Sequence, residues 1–437
     1  MKRNFTLVIF MLLAVGAVRA QDFSGQETGS ETLKTYPVQF TLVTPLSTDQ
    51  IINLDPEQTI HQFSINLLLG KNGGLSGASF SGIGSYLYND MRGLQMSGLG
   101  SITQGAAEGV QMAGIANLGQ SLRGLQMAGV ANIVEENVLG AQFAGVSNIA
   151  DSVRGGQFSG VFNLANGLQG GQFAGAVNLS LQQVRGAQFA GAVNISLDTL
   201  AGLQVAPINI SQRGLKGHQV GVINIATNDV QGVQLGVINS ARHVKGSMIG
   251  VINVAESIDG FNIGVLTAVR HGYRAVALEA NEVFDAMVTY RMGSANFYNI
   301  YGISYRNYND FNNYYRYGLT FGWGTQFHVS PKNHFFFELT ATQVNENEAW
   351  TNSLNLISKF HMGMEVRLFR WAALSMGPSF NVLTSNVKYE DGLKLPSISR
   401  TNILNSQTHG DTNIQMWVGF QLGLRFGRFH ILDRDRN

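Results

Sequence analysis

From about residue 75 to 268 the chain repeats one phrase of apolar and polar positions. An aliphatic residue (Leu122, Val138, Val153, Leu168, Val184, Leu200, Leu215, Val230) stands four before a glutamine, and a glycine stands two before it. The glutamine recurs at Gln95, Gln111, Gln126, Gln142, Gln157, Gln172, Gln188, Gln204, Gln219 and Gln234, with Ser79, Met248 and Asn262 in the same slot at the ends. An asparagine follows six residues later in the early copies (Asn117, Asn132, Asn148, Asn163, Asn178, Asn194) and five later from Asn209 onward. A unit of about 15 residues is too short for a helical hairpin. Phrases such as Gly-Ala-Gln-Phe-Ala-Gly-Val carry no 3.6-residue apolar face; they alternate and are rich in Val, Ile and Phe. The pattern predicts one coil of a flattened β-solenoid per unit: a strand, a turn and a shorter return strand. Parallel stacking would bring equivalent residues to about 4.8 Å. Gln and Asn ladders suit that spacing, because each amide donates to one neighbour and accepts from the other. Phe143, Phe158, Phe173 and Phe189 make an aromatic ladder by the same logic, with Met112 and Met127 below and Val205 and Val220 above.

The alternation also fits a second arrangement, one large antiparallel β-barrel that includes the repeats. Phe158, Gly160, Phe162 and Leu164 would then face lipid, and Gln157, Ser159, Val161 and Asn163 the lumen. Two features weigh against it. The five-residue Gln-to-Asn distance throws the anchors onto opposite faces, and turn lengths do not alternate from copy to copy.

Beyond residue 271 the period is two and the spans are longer. Tyr315, Tyr317, Leu319, Phe321 and Trp323 alternate with Arg316, Gly318, Thr320, Gly322 and Gly324; Ile414 to Phe426 and Leu354 to Leu368 behave alike. Strands are expected at 272–280, 283–292, 295–306, 314–330, 333–344, 352–369, 370–384 and 412–428. Long polar connections near 307–313, 345–351 and 385–411 alternate with tight ones near 331–332 and 369–370. This predicts an approximately eight-stranded antiparallel barrel of outer-membrane type; a soluble β-sandwich is the competing arrangement. Lys359, His361, Glu365 and Arg367 fall on the polar face of one strand and are expected to form a lumen salt-bridge network.

Composition follows this division. Of 52 glycines, 35 lie in residues 71–270, which hold only 19 of the 57 charged residues, whereas 28 of the 43 aromatic residues lie beyond residue 270. Low charge is therefore a property of the repeat, whose polarity comes from amides. A net charge of +1 and the absence of cysteine exclude a basic nucleic-acid binder and a disulfide scaffold. Residues 1–20 read as a signal peptide: Lys2 and Arg3, an apolar run from Phe5 to Val18, and cleavage after Ala20. The expected divisions are 1–20 signal peptide, 21–74 strands capping the repeats, 75–270 solenoid and 271–437 membrane barrel.

No chemistry-bearing motif stands out. The histidines lack metal-ligand spacing, no glycine-rich loop ends in Gly-Lys-Ser/Thr, and no nucleophile motif is present. Neither a cofactor nor a metal site is expected, and the chain does not read as an enzyme.

The phrases Val38-Gln39-Phe40-Thr41, Pro45-Leu46-Ser47-Thr48 and Phe63-Ser64-Ile65-Asn66-Leu67-Leu68, with the Gly-x-Gln-x-Ala-Gly-x-x-Asn repeats, resemble the glycine-rich surface-repeat proteins of Gram-negative bacteria, especially Bacteroidetes. The resemblance spans roughly residues 36–306. It implies a cell-envelope location and brings no activity or ligand residues with it. Asp151-Ser152-Val153 and Asp198-Thr199-Leu200 are similar to Bacteroidetes O-glycosylation sites, which marks Ser152 and Thr199. The expected function is a structural or interaction protein of the outer membrane, in contact with membrane lipid and with an envelope protein or glycan, and not with nucleic acid. An outer-membrane channel with the repeats as barrel strands is the first alternative. An outer-membrane enzyme using His361 and Glu365 is the second.

Overall fold

Stacking of the 15-residue unit governs residues Lys34–Val269, whose 24 strands form one sheet. The computed structural model describes residues 33–44, 46–294, 296–308, 314–387 and 398–428, so the signal peptide read at 1–20 lies outside the described residues. Each unit supplies a long strand and a return strand, and successive long strands therefore run the same way. Every pairing in this sheet is parallel except the short hairpin between Lys34–Val43 and Leu46–Ser47. The result is a β-solenoid of about 14 coils. Parallel pairing overturns the large antiparallel barrel: no repeat strand is a barrel strand, and a channel built from the repeats falls with it. Parallel stacking begins at Lys34–Val43, which pairs with Thr59–Asn66 ahead of the repeats proper.

Register is in phase with the sequence repeat. Gln142 pairs with Gln157, Gln157 with Gln172 and Gln172 with Gln188, while Asn148, Asn163, Asn178 and Asn194 align on the return strands. The core is half aliphatic and half amide. Val138, Val153, Leu168, Val184, Leu200 and Leu215 form one buried column, faced by small residues such as Ala150, Ala165 and Ser180. Beside it the glutamines and asparagines are fully buried. From Gln111 onward each glutamine Nε2 donates to Oε1 of the preceding coil: Gln157 to Gln142 at 3.0 Å, Gln172 to Gln157 at 2.8 Å and Gln188 to Gln172 at 2.8 Å. The asparagines run the other way. Asn148 Nδ2 donates to Asn163 Oδ1 at 3.0 Å, and its second hydrogen reaches the Phe158 carbonyl at 2.8 Å. The two ladders thus point in opposite senses along the solenoid.

The shortened Gln-to-Asn distance has a simple cause. After Gln204 the turn carries Ala206 and Pro207 and is one residue shorter, and Asn209 still pairs with Asn194. The turn absorbs the deletion, so neither anchor changes face. The repeated glycine two before Gln also has a geometric reason. At Gly155 φ is +134°, and a Cβ there would strike the carbonyl oxygen of Gly140 in the coil below.

Residues beyond 272 form a second sheet of nine antiparallel strands. These are Tyr273–Ala280, Ala286–Gly293, Tyr298–Tyr308, Tyr314–His328, Asn333–Glu346, Asn355–Phe369, Ala372–Ser385, Ile403–His409 and Thr412–Arg428. Eight of them match the alternating segments of the sequence; Ile403–His409 arises within the stretch read as a polar loop. Neighbours in sequence pair throughout, except that Ala372–Ser385 pairs with Thr412–Arg428. Thr412–Arg428 also pairs along its other edge with Tyr273–Ala280 and then with Ile403–His409. The last coil of the solenoid is bonded to this sheet: Asn299 Nδ2 donates to the Gly264 carbonyl at 2.6 Å, Trp323 Nε1 to the same oxygen at 3.3 Å, and Tyr301 Oη to the Val265 carbonyl.

The ladder carries a quantitative expectation. Gln157→Leu leaves the Gln172 donor and the Gln142 acceptor unpaired in a dry core and should cost about 2–4 kcal/mol in chemical unfolding. Phe158→Leu, at a half-buried site where the ring stacks between Phe143 and Phe173 and no polar group is left unpaired, should cost less than half as much. Equal losses for the two variants would show that the amides are not what holds neighbouring coils together.

Candidate functional sites: an apolar groove and a buried charge network

The residue after each core glutamine points outward, and parallel stacking turns it into a column. Phe143, Phe158, Phe173 and Phe189 stack face to face at centroid distances of 4.7, 4.9 and 5.1 Å, within 5° of parallel. Ordinary aromatic pairs prefer offset or edge contacts; here the inter-coil spacing imposes the stack. The rings are not core residues, since Phe143 and Phe173 are each 38% exposed. They form one wall of a long groove with a volume of about 1440 Å³. Ala113, Ala128, Ala144, Ala174 and Ala190, with Ser81, Ser97 and Ser159 in the same slot and Gly114, Gly129 and Gly145 beside them, make its small-residue floor. Ile65, Phe80, Met96, Met112, Met127 and Val205 continue the wall on either side of the rings. Ten rows in all give the groove a length of about 43 Å. A smaller pocket that shares Ile65 and Leu67 prolongs it toward Phe40, Leu42, Leu46 and Ile51 of the N-terminal cap. In the other direction the wall column continues in register through Val220, Leu235 and Ile249 to Ile263, one residue before the Gly264 carbonyl that Trp323 and Asn299 hold.

A second column runs alongside. Four residues before the groove-wall residues from Met96 onward, the paired positions are Arg92, Glu108, Arg123, Leu139, Arg154, Gln169, Arg185, Ala201, Lys216, Gln231 and Lys245. A cation occupies every second coil, about 9.6 Å apart, so like charges never sit on adjacent rows. Glu108 stands between Arg92 and Arg123 in this column; among the described residues no ion pair is formed by Arg154, Arg185, Lys216 or Lys245. Neither the groove nor the alternation of cations had been extracted from the sequence. The signal was present, since in each unit the phenylalanine slot and the basic slot have the parity opposite to glutamine.

The second sheet has the reverse polarity. Arg291 grips Glu338 with two bonds, Nε to Oε1 at 2.8 Å and Nη2 to Oε2 at 2.9 Å, and reaches Glu279 Oε1 at 2.9 Å. Arg425 donates to Glu338 Oε1 at 3.0 Å and to Glu365 Oε2 at 3.1 Å, and its guanidinium lies 4.3 Å over the Phe336 ring. Tyr298 and Tyr273 donate to Glu338 and Glu365, and Gln326 donates to Glu365 Oε1. All of these side chains are on the buried face of the sheet. Of the four residues expected to act together, Glu365 is a member of the network. His361 Nδ1 lies 3.5 Å from Glu338 Oε2, and Lys359 donates to Gln421 at 3.0 Å. Arg367 is near the strand end, only part-buried, with Nη2 3.4 Å from His334 Nε2. Sequence reasoning missed Arg291, Arg425, Glu279 and Glu338. Each occupies the polar phase of an alternating strand, but they converge from four different strands.

The network's chemistry is structural. Each of the three carboxylates is held by at least one guanidinium, which leaves none as a free base. Among the described residues no group of three or more His, Asp or Glu is placed to hold a metal. Ser152 and Thr199 lie within strands and are half-buried, and the Thr199 hydroxyl donates to the Asp198 carboxylate.

Glu338→Ala would leave two buried guanidiniums under-compensated and should cost about 3–5 kcal/mol. Combining it with Arg425→Met should restore part of that loss, as measured in a double-mutant cycle on the folded-to-unfolded midpoint. Simple additivity would mean that the two groups do not interact.

No family model, curated protein or solved structure matches this chain.

Proposed function

We propose that this chain is an exported outer-membrane protein. In this reading its second sheet closes into an eight-stranded barrel, and its solenoid hangs on the periplasmic side as a binding surface for envelope components. One observation carries the reading: the second sheet is inverted in polarity. Its buried face holds Arg291, Arg425, Glu279, Glu338 and Glu365, while Leu278, Val288, Ile303, Leu339, Phe360, Phe380, Val418 and Leu424 are exposed on the other face. A soluble sandwich would bury the second set and expose the first. A lipid environment makes the observed arrangement favourable. No helix among the described residues is long and apolar enough to cross a bilayer, so the reading rests on strands.

Closure is supported by the pairing of Tyr273–Ala280 with Thr412–Arg428, which leaves neither of them an edge along that stretch. Orientation follows from the connections. Segments 294–297, 329–332 and 370–371 are short and lie at the end where the chain enters from the solenoid. The segments after Ala280, Tyr308, Glu346 and Ser385 lie at the other end and include the longest connections. In outer-membrane barrels short turns are periplasmic and long loops external. Phe369, Trp371 and Phe426 stack at the short-turn end, as an interfacial aromatic girdle would. An eight-stranded barrel filled by an ion-pair network has no aqueous path, which favours an anchor over a channel.

The chain contains no cysteine, so single cysteines report topology cleanly. A membrane-impermeant maleimide applied to intact cells should label Glu348→Cys and leave Glu136→Cys unlabelled until the outer membrane is opened. Labelling of Glu136→Cys in intact cells would place the solenoid outside. Leu278→Arg or Val418→Arg should weaken insertion into lipid vesicles by about 2–4 kcal/mol near mid-bilayer; insertion at the parental level would argue for a soluble sheet.

A further inference from the structure

We propose that the solenoid groove holds the acyl chains of an anionic, phosphate-bearing lipid, with the alternating cation column engaging its head group. This deepens the periplasmic reading and rests on it for the source of the lipid. Three observations lead to it.

The first is the poverty of hydrogen-bonding groups in the groove. Its floor is mostly Ala and Gly, with hydroxyls only at Ser81, Ser97 and Ser159, and the floor amides are spent on the neighbouring coil, as in Gly145 N to the Ala128 carbonyl and Gly160 N to the Ala144 carbonyl, both at 3.2 Å. A peptide lying there would leave its own backbone groups unpaired, whereas a hydrocarbon chain has none to satisfy. The second is charge. Arg154, Arg185 and Lys216 are exposed four residues before the wall residues Phe158, Phe189 and Val220 of the same coils, with no carboxylate partner among the described residues. An amphiphile whose chains follow the wall places its head group at that column, and an anionic head is the complementary one.

The third is continuity. The apolar wall runs on to Ile263, beside the coil that Trp323 and Tyr301 contact from the exposed face of the second sheet. A chain sliding along the wall therefore arrives at the surface that the proposed barrel turns to the bilayer. The groove, about 43 Å long, exceeds the roughly 15 Å of hydrocarbon in one leaflet, so several acyl chains fit in file.

The test uses the full chain with Phe158→benzoylphenylalanine, reconstituted in phosphatidylcholine nanodiscs and offered phosphatidylglycerol vesicles or glycerol phosphate before irradiation. The expected product is a phosphatidylglycerol adduct at position 158, absent from a Glu136→benzoylphenylalanine control and not competed by glycerol phosphate. Ala144→Phe with Ala174→Phe should abolish it by filling the floor. Arg154→Gln, Arg185→Gln and Lys216→Gln should lower the preference over phosphatidylcholine by about five-fold per cation. Crosslinking to a second copy or to no lipid, equal labelling at position 136, or competition by glycerol phosphate would overturn the proposal. Anchoring is read separately by co-migration with the nanodisc. Protein that sits in the disc without an adduct keeps the barrel reading and loses the groove; protein that crosslinks lipid but stays outside the disc does the reverse.

Discussion

The separation of about 4.8 Å between parallel coils is the constraint from which the rest of the solenoid follows. At that distance each side chain meets its own copy above and below, so only residues that tolerate a self-contact can occupy a slot. Amides tolerate it best because they are self-complementary. Gln157 donates to Gln142 and accepts from Gln172, and no partner of a different kind is needed. A cation cannot be used this way, and the basic column accordingly skips every second coil. Phenylalanine takes a stacked geometry it would not otherwise prefer, and does so on the outside, where Phe158 and Phe173 are each covered on both faces by the neighbouring rings.

The same constraint explains the glycines. Stacked chains leave no room for a Cβ where Gly155 passes over Gly140, and the positive φ there excludes other residues independently. High glycine and low charge are thus two consequences of one geometry. They also produce the groove: a floor that can hold only small residues, beside a wall of large ones, is concave along its whole length.

The second sheet solves the opposite problem. Antiparallel strands bring different residues opposite one another, so charges can be matched in sign. Arg291 and Arg425 face Glu279, Glu338 and Glu365 across strands that are distant in sequence. Burying these groups is tolerable only because each is paired, and apolar side chains such as Leu278, Val288 and Ile303 are displaced to the outer face. The two halves meet where Trp323 and Asn299 hold Gly264.

Much of this was written in the period of the chain. The glutamine and asparagine spacing implied stacked coils, and the alternation beyond residue 271 located eight of the nine strands, because both are local patterns that repeat often enough to be read without knowing what touches what. The sequence alone left open whether the repeat strands run parallel. That depends on the return strand within each unit, visible only as a shortened turn at Ala206 and Pro207. It also left open which buried charges meet, since Arg425 and Glu365 lie 60 residues apart. The groove belongs to the same class: Phe158 is one residue in one unit, and it becomes a wall only when neighbouring coils set Phe143 and Phe173 against it. Period and polarity are properties of a segment and survive in the sequence; convergence is a property of contacts between segments, and only the tertiary structure decides it.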